Sequence, residues 1–158
     1  MPTLSDFNDF LSVIRKDTGL SSLEPDETGL VSVRVEDAYN LNLQFVAATG
    51  KILCFVEVME LPADAPASVY RDLLAGGLFG RDTAGGHFAY ELNSDTVVYQ
   101  YYFDFDRASA DPDEFVSTLE KILQLCDIWA ERLRRDLAGE EPEGDAPAET
   151  RPHQMILA

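Results

Sequence analysis

Residues 73–86 read Leu73-Leu74-Ala75-Gly76-Gly77-Leu78-Phe79-Gly80-Arg81-Asp82-Thr83-Ala84-Gly85-Gly86, and the fold turns on this string. Glycine weakens a helix interior, so a helix arriving through Leu73 and Leu74 must end among these glycines. They are expected to be turn residues at positive φ. Phosphate binding is a poor explanation: no Gly-Lys-Ser/Thr is present and no dinucleotide fingerprint opens a helix here.

Just upstream, Pro62 and Pro66 interrupt the chain ahead of a short helix over about 66–78, with Val69, Leu73 and Leu74 on one face and Leu78 and Phe79 at its end. Before it lie three runs with the alternation of half-buried strands. Val31, Val33 and Val35 alternate with Ser32 and Arg34; Leu41, Leu43 and Phe45 alternate with Asn42 and Gln44; Ile52, Cys54, Val56 and Val58 share a face after a Thr49-Gly50 turn. Short turns make these an antiparallel meander with one face toward a core. The outer face of the third run carries Leu53 and Phe55 beside Glu57.

Downstream, the spacing predicts a hairpin from Gly86 to Leu92 and Thr96 to Phe103, turning at Asn93-Ser94-Asp95. Val97, Tyr99, Tyr101 and Phe103 fall on one side of its second arm, Val98 and Tyr102 on the other. Both faces are apolar enough to be covered, one by core and one by something else.

At the ends of the chain the period changes to that of a helix. Thr3-Leu-Ser-Asp6 has capping-box form, and Leu4, Phe7, Leu11 and Ile14 follow at helical spacing with Phe10 on the same side, up to Gly19. Asp111-Pro112 opens a last helix to about Leu137, whose seam is Phe115, Leu119, Ile122, Cys126, Trp129 and Leu133. Arg132, Arg134 and Arg135 complement its dipole. The order is helix, three strands, helix, two strands, helix. Residues 1–137 form one expected domain, and 138–158, rich in Gly, Glu, Pro and Ala without periodicity, an acidic disordered tail.

The 158 residues are 46% hydrophobic and 26% charged, the balance of a globular chain with a real core. Formal charge is −17; residues 138–158 contribute −4, which leaves −13 on residues 1–137. Such a field disfavours nucleic acid and anionic membrane, and it is either a solvated surface or a means of steering a neutral-to-basic partner. No apolar run reaches membrane-spanning length, and Met-Pro-Thr-Leu-Ser-Asp has no signal-peptide pattern. Cys54 and Cys126 sit in apolar segments and are expected to be buried free thiols of a reducing compartment, hence the cytoplasm.

Catalytic chemistry is not expected. His87 at a strand start reads as an ordinary hydrogen-bonded histidine, and His153 lies in the tail. No second His or Cys stands at metal-ligand spacing, so neither a metal nor another cofactor is expected. Asp104, Asp106, Asp111 and Asp113 share part of a calcium-loop spacing, but Ala108 replaces the next ligand and no glutamate follows at the required offset. They read as a solvated strand-to-helix loop.

The string from Leu73 to Gly86 resembles the mid-chain signature of class I type III secretion chaperones, the Tir-chaperone family: a Leu-Leu pair, then Asn-Leu-Phe, then Gly, Thr and Gly before a strand. Gly77 stands where Asn is usual, and both tolerate left-handed backbone. Element order, size, acidity and the Trp-bearing last helix agree from about Leu4 to Leu137. The resemblance implies an α+β fold with a twisted antiparallel sheet flanked by helices. It also implies a homodimer through the central helix and the following strand, and cytoplasmic binding of the extended N-terminal segment of a secreted effector.

On that basis Val69, Leu73, Leu74, Leu78 and Phe79, which crowd a short helix, are the candidate dimer interface. Phe10, Leu53, Phe55, Val98 and Tyr102, left over by the core, are the candidate partner-binding set. A dimeric adaptor or regulator of the same fold, serving a non-secreted partner, is the alternative, and a small enzyme with an unrecognised site a third reading. The tail is either a solubilising extension or a device whose apolar end, Met155-Ile156-Leu157-Ala158, docks in a guest groove.

Overall fold

Helix α1 (Leu4–Thr18) starts in the capping box that its sequence announces. Thr3 Oγ1 accepts from the Asp6 amide at 3.3 Å, and Asp6 Oδ2 accepts from the Thr3 amide at 2.7 Å, so Asp reaches where Glu is commoner. Left-handed Gly19 ends the helix. The structure, a computed structural model, describes residues 1–139.

The three strand-like runs become β1 (Leu30–Val35), β2 (Tyr39–Val46) and β3 (Lys51–Glu60), and the hairpin becomes β4 (His87–Glu91) and β5 (Thr96–Asp104). They form one antiparallel sheet in the order β1-β2-β3-β5-β4. Strand β5 enters the sheet beside β3, and the register of that pair shifts between Glu57 and Met59. Because side chains alternate across a strand, Val31, Val33, Leu41, Leu43, Ile52, Cys54, Val56, Val97 and Tyr99 are all buried on one face.

Helix α4 (Pro112–Ala138) packs on that face, opened by the Asp111 carboxylate accepting from the Glu114 amide at 3.0 Å. Its seam residues Phe115, Ile122, Cys126, Trp129 and Leu133 are buried; each such large side chain contributes on the order of 1.5–3 kcal/mol by leaving water. Helix α1 closes the same core, with Phe7 stacked on Phe45 at 5.3 Å and Phe10 edge-on to Phe115 at 5.0 Å.

Two elements differ from expectation. The central helix α2 (Ala67–Gly76) stops at the first glycine of the string, followed by a 3-10 turn over Leu78–Gly80. The acidic segment is not a solvated loop: Phe105–Ala110 is a helix, α3, capped by Asp104, which accepts from the Arg107 amide at 3.0 Å. It forms because Phe105 and Ala108, one turn apart, bury against the core, a tertiary contact that six residues cannot advertise as periodicity.

Helix α4 includes Ala138, and left-handed Gly139 caps it, so the first two residues assigned to the tail belong to the helix end. The rest of the expected tail lies outside the described residues. Among the described residues no helix is long and apolar enough to cross a membrane.

Candidate binding surfaces

The glycine string is a strap fastened to the core at two tight points. At the first, Gly76 faces Trp129: a Cβ there would stand 2.3 Å from two ring carbons. The Trp129 indole N–H donates to the Asp82 carbonyl at 2.9 Å, and the Arg132 guanidinium lies 4.5 Å over the ring. Arg132 in turn holds Asp72 of α2 in a two-point ion pair, its Nε donating at 2.7 Å and its Nη2 to the other carboxylate oxygen.

At the second point, a Cβ on Gly86 would stand 2.3 Å from the Tyr99 hydroxyl oxygen and 2.6 Å from the Gln100 carbonyl. The Tyr99 hydroxyl donates to the Thr83 carbonyl at 2.7 Å, and the buried Thr83 hydroxyl donates to the Gly86 carbonyl at 2.6 Å. Gly76 and Gly86 therefore answer to space, not to positive φ, and Gly77 is right-handed. Positive φ within the string belongs to Gly80 and Gly85, and also to Phe79 at 57° and Ala84 at 50°. A bulky side chain in that region is an outlier held by its surroundings.

This fastening sorts the candidate interface residues. Val69 and Leu73, expected to cross a two-fold axis, are buried inside the protomer at 0% and 8% exposure. With Gly76 they form the stripe of α2 that faces inward. Leu74, about 100° around the helix from Leu73, is 78% exposed, and Leu78 and Phe79 are 56% and 71% exposed. Three large apolar side chains thus project from one short stretch. Ile128 of α4, one helical turn before Arg132 and outside the seam, is exposed as well; its only signal in the sequence is an apolar residue off the buried stripe.

The outer face of the sheet brings together four of the candidate partner-binding residues. Leu53 pairs with Tyr102 across β3 and β5, Phe55 with Gln100, and Val98 with Glu57 on one side and Ala89 of β4 on the other. Leu53, Phe55 and Val98 are half-buried and Tyr102 is exposed, with Lys51 Nζ 5.9 Å from its ring centre. A groove of about 510 Å³ runs over Leu53, Phe55, Ala89 and Val98, edged by Glu57 and Glu91.

Phe10 does not join them. It is only 5% exposed and lies edge-on to Phe105 at 5.8 Å, so it belongs to the core. Helix α3, unforeseen in the sequence, brings that phenyl ring over it. The edge of Phe10 reaches a separate groove of about 480 Å³ between α1 and α3, shared with Val13 and Phe105 and edged by Asp6, Asp9 and Asp106.

Several ionisable groups make structural contacts. His87 shares a hydrogen bond with Gln100 at 2.8 Å. Burial, then the Asp127 carboxylate that its hydroxyl meets at 2.6 Å, push the Tyr39 phenol well above its ordinary range. Burial, followed by the charge of Asp127, pushes the Cys126 thiol up to about 12, and burial raises Cys54 as well; both are free. No group of three or more His, Cys, Asp or Glu that could hold a metal exists among the described residues.

No curated protein matches the chain. Solved structures do match its fold. A chain of the crystal structure of the ExsC-ExsE complex superposes with a TM-score of 0.72 at 21% identity, covering 84% of this chain and 97% of that one. A chain of the HopA1-SchA chaperone-effector complex gives 0.63 at 19% identity, with 85% and 99% covered. The heterodimeric ExoU-SpcU complex from the type III secretion system of Pseudomonas aeruginosa gives 0.55 at 17% identity, with 84% and 98% covered. At the level of sequence, the Tir chaperone protein family model matches residues 9–130, the span from α1 through the Trp129 anchor, and the chain belongs to that family.

Proposed function

We infer that this protein is a non-catalytic type III secretion chaperone, which binds the extended N-terminal segment of a secreted effector in the cytoplasm and keeps it competent for export. The observation that carries the reading is the apolar stripe Leu53, Phe55, Val98 and Tyr102 on the outer face of a sheet whose other face already holds the core. An extended chain can lay alternate side chains into such a surface, so the protein supplies area and needs no nucleotide. Membership of the Tir chaperone family supports the reading, and so does likeness in fold to chains from chaperone-effector complexes.

The acting unit is a homodimer through Leu74, Leu78 and Phe79, with Val69 and Leu73 supporting them from beneath. Exposed side chains of this size gain on the order of 1.5–3 kcal/mol each when fully covered, and three on each of two copies would offset the cost of association. The left-handed backbone at Phe79 holds its ring outward, in keeping with that use.

Purification from the native host, with the complex weighed by light scattering, tests the whole reading. The expected result is two copies of this chain with one client, retained by the client's N-terminal segment. A monomer would remove the dimer; a dimer on a fully folded housekeeping protein would replace secretion with the adaptor role.

A further inference from the structure

Two grooves have apolar floors, and in both the charged residues at the edge are carboxylates alone. Over the sheet, Glu57 and Glu91 flank Leu53, Phe55 and Val98; between α1 and α3, Asp9 and Asp106 stand beside Phe10 and Phe105. No Lys or Arg lines either groove. Several basic side chains of the described residues are engaged elsewhere: Arg107 pairs with Glu114, Arg132 with Asp72, and Arg134 and Arg135 with Glu131; Lys51 shares the outer face of the sheet but lies beyond the groove, over Tyr102. None of the five groove carboxylates forms an ion pair among the described residues, although Asp6 is taken up by the Thr3 capping box and Glu57 accepts from the Asn40 side-chain amide at 2.6 Å.

We propose that the segment these grooves receive carries Lys or Arg next to its apolar anchors, so that each anchor enters a floor while its basic neighbour meets the carboxylates at the edge. The inference rests on the reading of the outer sheet face as the client surface, extends that surface to the groove between α1 and α3, and adds the chemistry of the client. An anionic edge on an apolar floor rejects an acidic segment of equal hydrophobicity, because its carboxylates would be brought against like charge as they lose water. It also attracts a basic one over a range that salt shortens, about 8 Å at physiological ionic strength. The overall charge of −17 acts in the same direction, so the test must separate the grooves from the whole molecule.

Two labelled peptides with the same apolar residues at alternate positions, one interspersed with Lys and the other with Glu, are titrated into the full-length chain and read by fluorescence anisotropy. A third, with the Lys content of the first and serine in place of the anchors, controls for charge alone. The Lys peptide is expected to bind at least about tenfold tighter than the Glu peptide at low salt, with the gap narrowing as salt rises. The variants E57Q/E91Q and D9N/D106N should each weaken it about two- to fivefold, whereas E27Q/E120Q, which neutralises as many exposed carboxylates away from the grooves, should not.

Equal affinity for the Lys and Glu peptides overturns the inference and leaves the client surface standing. Equal loss in E27Q/E120Q, or binding of the serine control as tightly as the Lys peptide, also overturns it by assigning the attraction to net charge. Binding of neither anchored peptide overturns the client surface itself.

Discussion

Gly76 lies directly against the indole of Trp129, leaving no room for a single methyl group: a Cβ at position 76 would stand 2.3 Å from ring carbons on an aromatic side chain only 2% exposed. The contact joins α2 to α4 and so decides how Leu74, Leu78 and Phe79 are presented. Gly76→Ala must push the indole or the helix aside, with a loss of about 1–3 kcal/mol. Urea denaturation checks this, and an unchanged midpoint would show that Trp129 is not seated there.

One turn beyond Arg132, Asp136 faces Asp72, and its buried Oδ2 has no hydrogen-bond donor among the described residues. Burial first, then the proximity and charge of the Asp72 carboxylate, push its carboxyl up to about 6. The folded state therefore holds a proton that the unfolded state has lost between about pH 4 and pH 6. Stability from this pair is present at the acid end of that window and declines as pH rises through 6, by about 1 kcal/mol after solvent screening. Asp136→Asn should remove this slope and melt higher than the parent at pH 7.5 in pH-dependent thermal scans.

Phe10 and Phe55 should behave oppositely. Phe10→Ala empties a core site and is expected to cost about 3–5 kcal/mol of stability, with any effect on binding confined to that loss and to the floor of the groove between α1 and α3. Phe55→Ser, on the half-exposed outer face, should leave the thermal midpoint within a few degrees and weaken client binding at least about tenfold. Calorimetry on both variants separates the roles; equal destabilisation would move Phe55 into the core.

The double variant Leu74→Ser/Phe79→Ser removes two side chains that are 78% and 71% exposed. If the proposed homodimer forms, it should become a monomer in light scattering without any lowering of the monomer's unfolding midpoint. A dimer of unchanged strength would place the contact elsewhere, with exposed Ile128 the next surface to change.

Both cysteines are 0% exposed and their thiols are pushed far above the ordinary range by burial. Ellman's reagent at pH 8 should react with neither until the chain unfolds, since the thiolate is the reactive form. Rapid labelling of one thiol in the native protein would show that the interface between β3 and α4 opens.

Periodicity carries most of this fold. Alternation in Val31–Val35, Leu41–Phe45 and Ile52–Val58, and the seam from Phe115 to Leu133, state which face of each element is buried, because side-chain direction follows from backbone geometry alone. The four residues read as outward, Leu53, Phe55, Val98 and Tyr102, do share the outer face for that reason. The family resemblance was legible in the string at 73–86. What periodicity cannot state is the pairing of distant elements. Helix α3 exists because Phe105 meets Phe10, nearly a hundred residues earlier; that same contact removes Phe10 from the surface set. Only the packing of α2 on Trp129 divides Val69 and Leu73 from Leu74, Leu78 and Phe79, and only there does Gly76 become a matter of space instead of φ. Sequence specifies which residues must leave water; which neighbour covers each one is settled when the whole chain fills a single close-packed interior.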